Sequence, residues 1–512
     1  MRLIARLTDE ELNLGVLRCT YSGRGSLPHR PDLLLKLLIY EHAQGRVQPV
    51  QWFKDVKENK AVQWLIFGIE PSQTTLYEFR DRVQPLLEEL NQQVVRAAID
   101  EERTSGSCGA LDGTFVAANA SRHRLLKLET VDKRLEQLEE EIAKAEAIPN
   151  TPPTKTANET PPTIKKRSRK KPRSTATNLP SSPASSPAET EPPLFMGKTL
   201  RGRKRQRDQY RRAQAILRDR HKANARRRKD KRKKGEKIRV AIGDPVAKFG
   251  LDKLKTYRPL YNVQTMSDVE TDLVLGYATT PTTTDSGQLL PMIEQTNRIT
   301  GTHVQEVLID SGYPSGKDLA QCEEAEVVVY APWNENSFTE AKRANSRADE
   351  QIPKDQFTFD PTIPGYRCPQ GNVLSFRNRN SKQKADGEYV PLEIYQADPS
   401  DCACCPLRAR CVRGGSGART VRRQEHEDLI DALKERMNDP EAKKKYRDRG
   451  CTVERRFADF KTHRGLQRFS GCTPERAHAQ VGLTVLAHNL RTIEKLRNRS
   501  TTAHEKPRKT GS

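Results

Sequence analysis

The 512-residue chain has 90 Lys and Arg against 67 Asp and Glu, a formal charge of +23, and only 34% hydrophobic residues. Such length implies two to four domains with enough core to fold unaided, and such charge implies a polyanionic partner, most simply nucleic acid. No apolar run is long enough to span a bilayer and the opening MRLIARLTDEEL lacks a secretory apolar segment, so a cytoplasmic, nucleoid-associated protein with no membrane partner is expected.

Residues 1–100 read as short helices. Pro31 suits the first position of a helix through LLLKLLIYEHAQ, with Gly45 placed to end it. Val50 to Phe67 forms a second apolar-periodic segment. Thr75 and Glu78 make a capping box that opens TLYEFRDRVQPLLEELNQQVVRAA. Thr74, Thr75, Tyr77, Arg80 and Arg82 crowd the first turns of that helix, as a DNA-recognition helix needs; an ordinary bundle with a charged face is the plainer reading.

Cys108 to Ala118 is a short apolar run interrupted by Asp112. An acid within a strand that otherwise wants burial is costly unless paired or metal-bound, although Asp112-Gly113 also suits a hairpin turn. Residues 122–148 are expected to be a short helical or coiled-coil arm, with heptad-like apolar positions Leu128, Val131, Leu135, Leu138 and Ile142 that suit either a helical hairpin or a dimer contact. Residues 149–196, rich in Pro, Ser and Thr, read as a disordered linker. The charge is concentrated here: residues 165–173 carry +7 and residues 198–237 carry +16, so the rest of the chain is balanced. Residues 197–237 are therefore expected to be a basic nucleic-acid-binding segment, and 122–237 as a whole is read as an insertion within a domain begun at 105–121.

That domain resumes over 238–335. Tyr261, Val263 and Thr265 alternate with Asn262 and Gln264, and Leu273 to Tyr277 forms a second run, so antiparallel strands are expected before a helix. Asp310 ends the apolar run Val304 to Ile309, either as a site residue or as a cap for a helix near Ser315. Asp244 and Asp268 also sit beside strand-like sequence and rival Asp112 and Asp310 as site residues. An insertion over 336–440 carries Cys368, Cys402, Cys405 and Cys411; Cys402-x2-Cys405 has zinc-ligand spacing, and the four thiols suit one Zn²⁺ or a set of reduced, partly buried thiols. Residues 441–497 are helical, with a polar tail at 498–512. Val453, Phe457 and Phe460 make an apolar stripe, and Glu454 and Lys461, seven apart, stack on its flank. Thr473-Pro474 opens the closing helix, whose buried face is Leu483, Leu486, Leu490 and Ile493.

The series Tyr446-x2-Arg449-x4-Glu454-x6-Lys461 resembles the Y-R-E-K signature of the DDE transposases of bacterial insertion sequences, with one more residue between Arg and Glu than that pattern has. LDGTFV around Asp112, IDSGY around Asp310, and Tyr261 to Asp268, with Leu260 where the family has Gly, resemble further phrases of that family. Residues 1–100 resemble its N-terminal domain, which implies an all-α, helix-turn-helix-like unit that binds terminal inverted repeats. The resemblance implies an α/β, RNase H-like mixed-sheet catalytic domain. It makes Asp112, Asp310 and Glu454 ligands of two Mg²⁺ (or Mn²⁺) ions, and Lys461, Arg449 and Tyr446 contacts to DNA ends. The implied activity is metal-dependent strand cleavage and strand transfer on double-stranded terminal and target DNA by at least a homodimer. A non-catalytic DNA-binding regulator and an inactive transposase relic are the alternatives.

Overall fold

The computed structural model describes residues 1–21, 28–147, 194–252, 255–333, 352–384, 387–412 and 417–504. Most of the expected linker, including residues 165–173, lies outside the described residues.

Seven helices open the chain: α1 (Arg2–Glu11), α2 (Gly15–Arg18), α3 (Pro31–Ala43), α4 (Pro49–Glu58), α5 (Lys60–Leu65), α6 (Gln73–Val83) and α7 (Leu87–Asp100). Pro31 takes the first turn of α3, and Gly45 follows that helix with φ 73°. Two local expectations are corrected. Ser72, not Thr75, caps α6, its side chain accepting from the Thr75 amide. The long helix from Thr75 is broken at Pro85, which removes a backbone donor, so α6 and α7 are joined by a single 3₁₀ turn.

The central sheet contains β1 (Cys108–Ala117), β4 (Lys248–Leu251), β5 (Tyr257–Asp268), β6 (Val274–Thr280), β7 (Glu306–Leu308) and β8 (Val328–Tyr330). Strand β5 pairs antiparallel with β1 along one edge and with β4 and β6 along the other. Beyond β1, strands β7 and β8 run parallel to it, which the crossover helices α10 (Leu289–Thr300) and α11 (Gly316–Glu324) make possible. The sheet is therefore mixed and buried on both faces. Leu111, Val307 and Ile309 join the helical bundle and α10 on one face. Ala110 and Leu308 meet Val453 and Phe457 of α15 (Pro440–Thr462) on the other.

The segment between β1 and β4 is built into the fold. Strand β2 (Leu125–Leu126) pairs with β3 (Val240–Ala241), and from that base rise α8 (Leu128–Ala147) and the basic helix α9 (Leu200–Arg226). Val131, Leu135 and Leu138 pack on Tyr210, Ala213 and Leu217, so the arm is a helical hairpin. Arg220 of α9 donates to the carbonyls of Pro245, Val246 and Ala247 at 3.0 to 3.1 Å, which ties the hairpin to the sheet.

The Cys-bearing insertion is a second sheet of five antiparallel strands: β9 (Thr358–Asp360), β10 (Gly365–Arg367), β11 (Val373–Gln383), β12 (Tyr389–Ala397) and β13 (Thr420–Gln424). Short helices α12 (Pro399–Ala403) and α13 (Arg408–Cys411) lie between its last two strands. Helix α14 (Glu427–Arg436) returns the chain to the main core through Ile430 and Leu433. The closing helix α16 (Pro474–His504) buries Leu483, Leu486, Leu490 and Ile493 against the bundle. Its Asn489 donates to Asn91 Oδ1 at 2.7 Å and to Val274 O at 2.8 Å, joining α16 to α7 and β6.

Candidate active site

Asp112 lies within β1, not at a hairpin turn, and β1 continues in register with β5 through Gly113 to Ala117. Ala110 and Leu308 are register partners of the parallel pair β1 and β7, whose pairing ends there. Asp112 and Asp310 each stand two residues further on. Because side chains alternate, that even offset returns both acids to the face that Ala110 and Leu308 share, the face covered by α15. Asp310 does not cap the next helix: its Oδ1 accepts from the Ser311 amide at 2.7 Å, and Ser315 with Asp318 forms the capping box of α11.

Arg449 closes this corner from α15. Its guanidinium stands 3.5 Å from Asp112 Oδ1 and donates to Leu111 O at 3.3 Å. Burial pushes the Asp112 carboxyl above the usual carboxylate range, Arg449 pulls it back, and the nearby charges of Asp310 and Asp285 push it up again. Tyr446 lies one turn away, its ring 5.7 Å from the Arg449 guanidinium. The Tyr446 hydroxyl is pushed up by burial, against the pull of Arg449, with Asp310 and Asp112 adding to the rise.

The stripe Val453, Phe457 and Phe460 is buried, as its spacing predicts. Glu454 stands exposed on the flank it shares with Lys461, whose Nζ donates to Phe115 O at 3.2 Å, three residues along β1 from Asp112. Among the described residues no three His, Cys, Asp or Glu side chains are already arranged to hold a metal ion. The donor set nevertheless suits a hard cation: two carboxylates on one face, one of them with its charge held back by burial and by its neighbours, are relieved by a divalent ion with oxygen ligands.

Sequence reasoning missed Asp285, in the loop between β6 and α10. Its Oδ1 accepts from Asn262 Nδ2 and Gln264 Nε2, each at 2.8 Å. It lies against the opposite face of β1 from Asp112, at Gly113, where any Cβ would come within 2.5 Å of Asp285 Oδ1. Glycine is thus required beside Asp112. The buried hydroxyl of Tyr313 donates to Gln264 Oε1, which links Asp285 to the turn after Asp310.

Two rivals are consumed by structural hydrogen bonds. Asp244 is buried and accepts from Tyr261 Oη at 2.7 Å and the Thr473 amide at 3.3 Å. Asp268 is buried and accepts from Thr104 Oγ1 at 2.8 Å and from the Thr271 hydroxyl. Arg80, expected at a DNA-facing surface, is 3% exposed with its guanidinium on Asp81, because it lies on the packed side of α6 with Phe79 and Val83. Arg82 stays half-exposed, its guanidinium 4.1 Å from the centre of the Tyr21 ring.

The four thiols come together at the end of the second sheet. Cys368, Cys402, Cys405 and Cys411 line one narrow cavity of 20 Å³, and burial and the neighbouring thiols push the Cys411 thiol up. Cys404 is exposed, its Sγ directed at Ser400 O. Arg408 and Arg419 hold the cavity rim by donating to the carbonyls of Cys402 and Cys411.

Residues 367–494 match the family model of the transposase DDE domain. Over this stretch the chain is similar to the DDE domain of a transposase. The match spans the four thiols, Tyr446, Arg449, Glu454 and Lys461, and stops short of Asp112 and Asp310. No curated protein matches the chain. Among the described residues no helix is long and apolar enough to cross a membrane.

Proposed function

We propose that the chain is a metal-dependent DNA transposase that cleaves and joins strands at the ends of an insertion sequence. The observation that carries this reading is the nearness of Asp112 and Asp310, each two residues past the paired Ala110 and Leu308, beneath a helix bearing Arg449, Glu454 and Lys461. An RNase H-like fold is supported by the spatial order β6-β5-β1-β7-β8 and by the switch from antiparallel to parallel pairing at β1.

In this reading Asp112, Asp310 and the exposed Glu454 would together hold two Mg²⁺ or Mn²⁺ ions. Such ions, when bound, would supply an activated nucleophile and neutralise the negative charge on the phosphoryl and leaving oxygens. Arg449 draws the half-buried Asp112 carboxyl back toward its ionised form and holds it in a fixed orientation. Lys461, already seated on β1, offers its ammonium to a strand phosphate, and Tyr446 shapes the wall beside Arg449. Asp285, Gln264 and Tyr313 hold the opposite side of the corner rigid.

The DNA duplex runs along basic surface. A groove of 650 Å³ between α9 and β4 is lined by Arg220, Arg227, Lys233, Lys237, Arg239 and Lys248 with one acid, Asp219. Burial and the charges of Arg220 and Arg227 push the Lys248 ammonium down, a repulsion that phosphates relieve. Residues 1–100 supply end recognition through the exposed part of α6, including Arg82, and two protomers bring two ends together. In the cysteine module, Cys368, Cys402, Cys405 and Cys411, which line one cavity, would hold one Zn²⁺.

The test is cleavage of a labelled duplex carrying the element's terminal repeat, with Mg²⁺ or with chelator. Cleavage by the native chain and its loss in Asp112→Asn and Asp310→Asn are expected. A chain that binds the repeat but never cuts it is a regulator or a relic.

A further inference from the structure

A second charged cavity lies on the far flank of α15. Its volume is 380 Å³, and its walls come from α15, the last turns of α16 and the β5–β6 turn. Six cationic side chains line it, Arg455, Arg456, Arg464, Arg491, Lys495 and Arg499, against Glu270, Asp272 and Asp459. Two of the acids are already engaged: Asp272 by Arg456 and by Arg455 at 3.7 Å, and Asp459 by Arg464 at 3.1 Å.

Arg456 is the anchor of the wall. Its side chain is fully buried and paired with Asp272, yet its Nε and Nη1 have no hydrogen-bond partner. A buried guanidinium with unmet donors is costly unless further negative charge arrives. Arg491 adds to the imbalance, because burial and the like charge of Arg464 push its guanidinium down. Beneath them His488, held neutral by burial at about 4, has Nε2 2.9 Å from Asp272 O and adds no charge at neutral pH. The cavity is thus a concave surface with excess positive charge, presented mostly as guanidinium forks, which match the oxygens of a phosphate.

We propose that this cavity binds a phosphate oxyanion, namely a phosphodiester of a DNA strand that passes behind the catalytic face. It is separate from the carboxylates. The β5–β6 turn follows Asp268, whose register partner Gly109 precedes Asp112 by three residues, or about 10 Å of strand. The choice of DNA as the source rests on the transposase reading; the charge and shape of the cavity do not.

The experiment uses the full chain in EDTA, so that it reports binding whether or not the protein cleaves. Binding of a random-sequence duplex is measured by anisotropy over a range of salt, for the native chain and for Arg491→Gln/Lys495→Gln. The slope of log affinity against log salt is expected to fall by about 0.9 for each phosphate the variant no longer neutralises. In parallel, melting is followed with inorganic phosphate and with a nucleoside triphosphate. A ligand-dependent rise in Tm that is absent in the double variant, with an unchanged DNA slope, assigns the cavity to a soluble phosphorylated ligand. No change in either arm overturns the proposal. Should the double variant fail to fold, Lys495→Gln alone, at an exposed position, carries the same comparison.

Discussion

Arg449→Met is the perturbation that best separates electrostatics from packing at this site. The substitution keeps an unbranched side chain on α15 but removes the cation 3.5 Å from Asp112 and the donor to Leu111 O. A hydrogen bond to a charged group contributes about 1.5–3 kcal/mol, and breaking a fully buried ion pair costs about 3–5 kcal/mol. Asp112 keeps 27% of its side-chain exposure, so water screens part of the loss and about 2 kcal/mol is expected for local opening of β1.

The sign with pH follows from the direction of the shift. The folded-state pKa of Asp112 is raised, so its ionisation opposes folding, and stability falls as pH rises from the ordinary carboxylate range through the raised value. Removing Arg449 raises that value further. The cost of Arg449→Met is therefore small in acid, where Asp112 is protonated in both proteins, and grows toward neutral pH. In an Asp112→Asn background most of the pH-dependent cost disappears. The assay is amide hydrogen exchange of the β1 peptide by mass spectrometry, corrected for intrinsic rates, for the four members of this cycle without divalent ions. A coupling of about 1–2 kcal/mol at neutral pH is expected. A cost that is the same at every pH, with coupling below about 0.5 kcal/mol, refutes the reasoning and leaves Arg449 a packing residue.

Other outcomes follow from the same geometry. Glu454 is exposed beside the apolar stripe, so Glu454→Gln should leave folding and DNA binding intact while strand cleavage falls about a hundredfold or more, the scale of removing one group that stabilises the transition state; unchanged cleavage means another acid is used. Purified native chain should hold a single zinc ion by elemental analysis; Cys402→Ser or Cys411→Ser should lose it and Cys404→Ser should keep it, and metal-free native protein disposes of the site. Replacing Arg227, Lys233 and Lys237 by Gln should lower the salt slope for random duplex by about 0.9 for each phosphate left without its cation, and an unchanged slope means the groove beside α9 does not meet DNA.

Much of the fold was legible because its signals are local. The stripe Val453, Phe457 and Phe460 predicts a helix with one buried side, and Pro31 predicts a start, because spacing and φ restriction need no knowledge of distant neighbours. The Cys cluster was legible for another reason, since few backgrounds place thiols at Cys402-x2-Cys405. Arg80 was misread because periodicity shows that a helix has a charged residue, not which neighbour covers it. Asp81 and the packed side of α6 hold Arg80 inside the bundle. The basic segment reads as a nucleic-acid-binding stretch, and its charge density hides Tyr210, Ala213 and Leu217, three apolar residues at spacing three and four that suffice to dock α9 on α8.

Asp285 shows where such reasoning ends for the site itself. In TTTDSGQ it has the composition of a turn, and turn chemistry explains an aspartate there without any partner. Its importance comes from pairings no local pattern encodes. Register sets Gly113 opposite Gln264, which brings Gln264 to the β1 face from which a Cβ is excluded. The loop after β6 then carries Asp285 into that gap, where Asn262 and Gln264 hold it. One fragment of this was visible: Asn262 and Gln264, two apart, put two amides on one face of a strand that is otherwise buried. Amides at such positions require acceptors, since an unpaired buried donor costs about 1–3 kcal/mol. The acceptor had to be an acid or a carbonyl from another element, and Asp285 is that acid. The carboxylate on the second face of β1 thus follows from the same burial that makes Asp112 costly on the first.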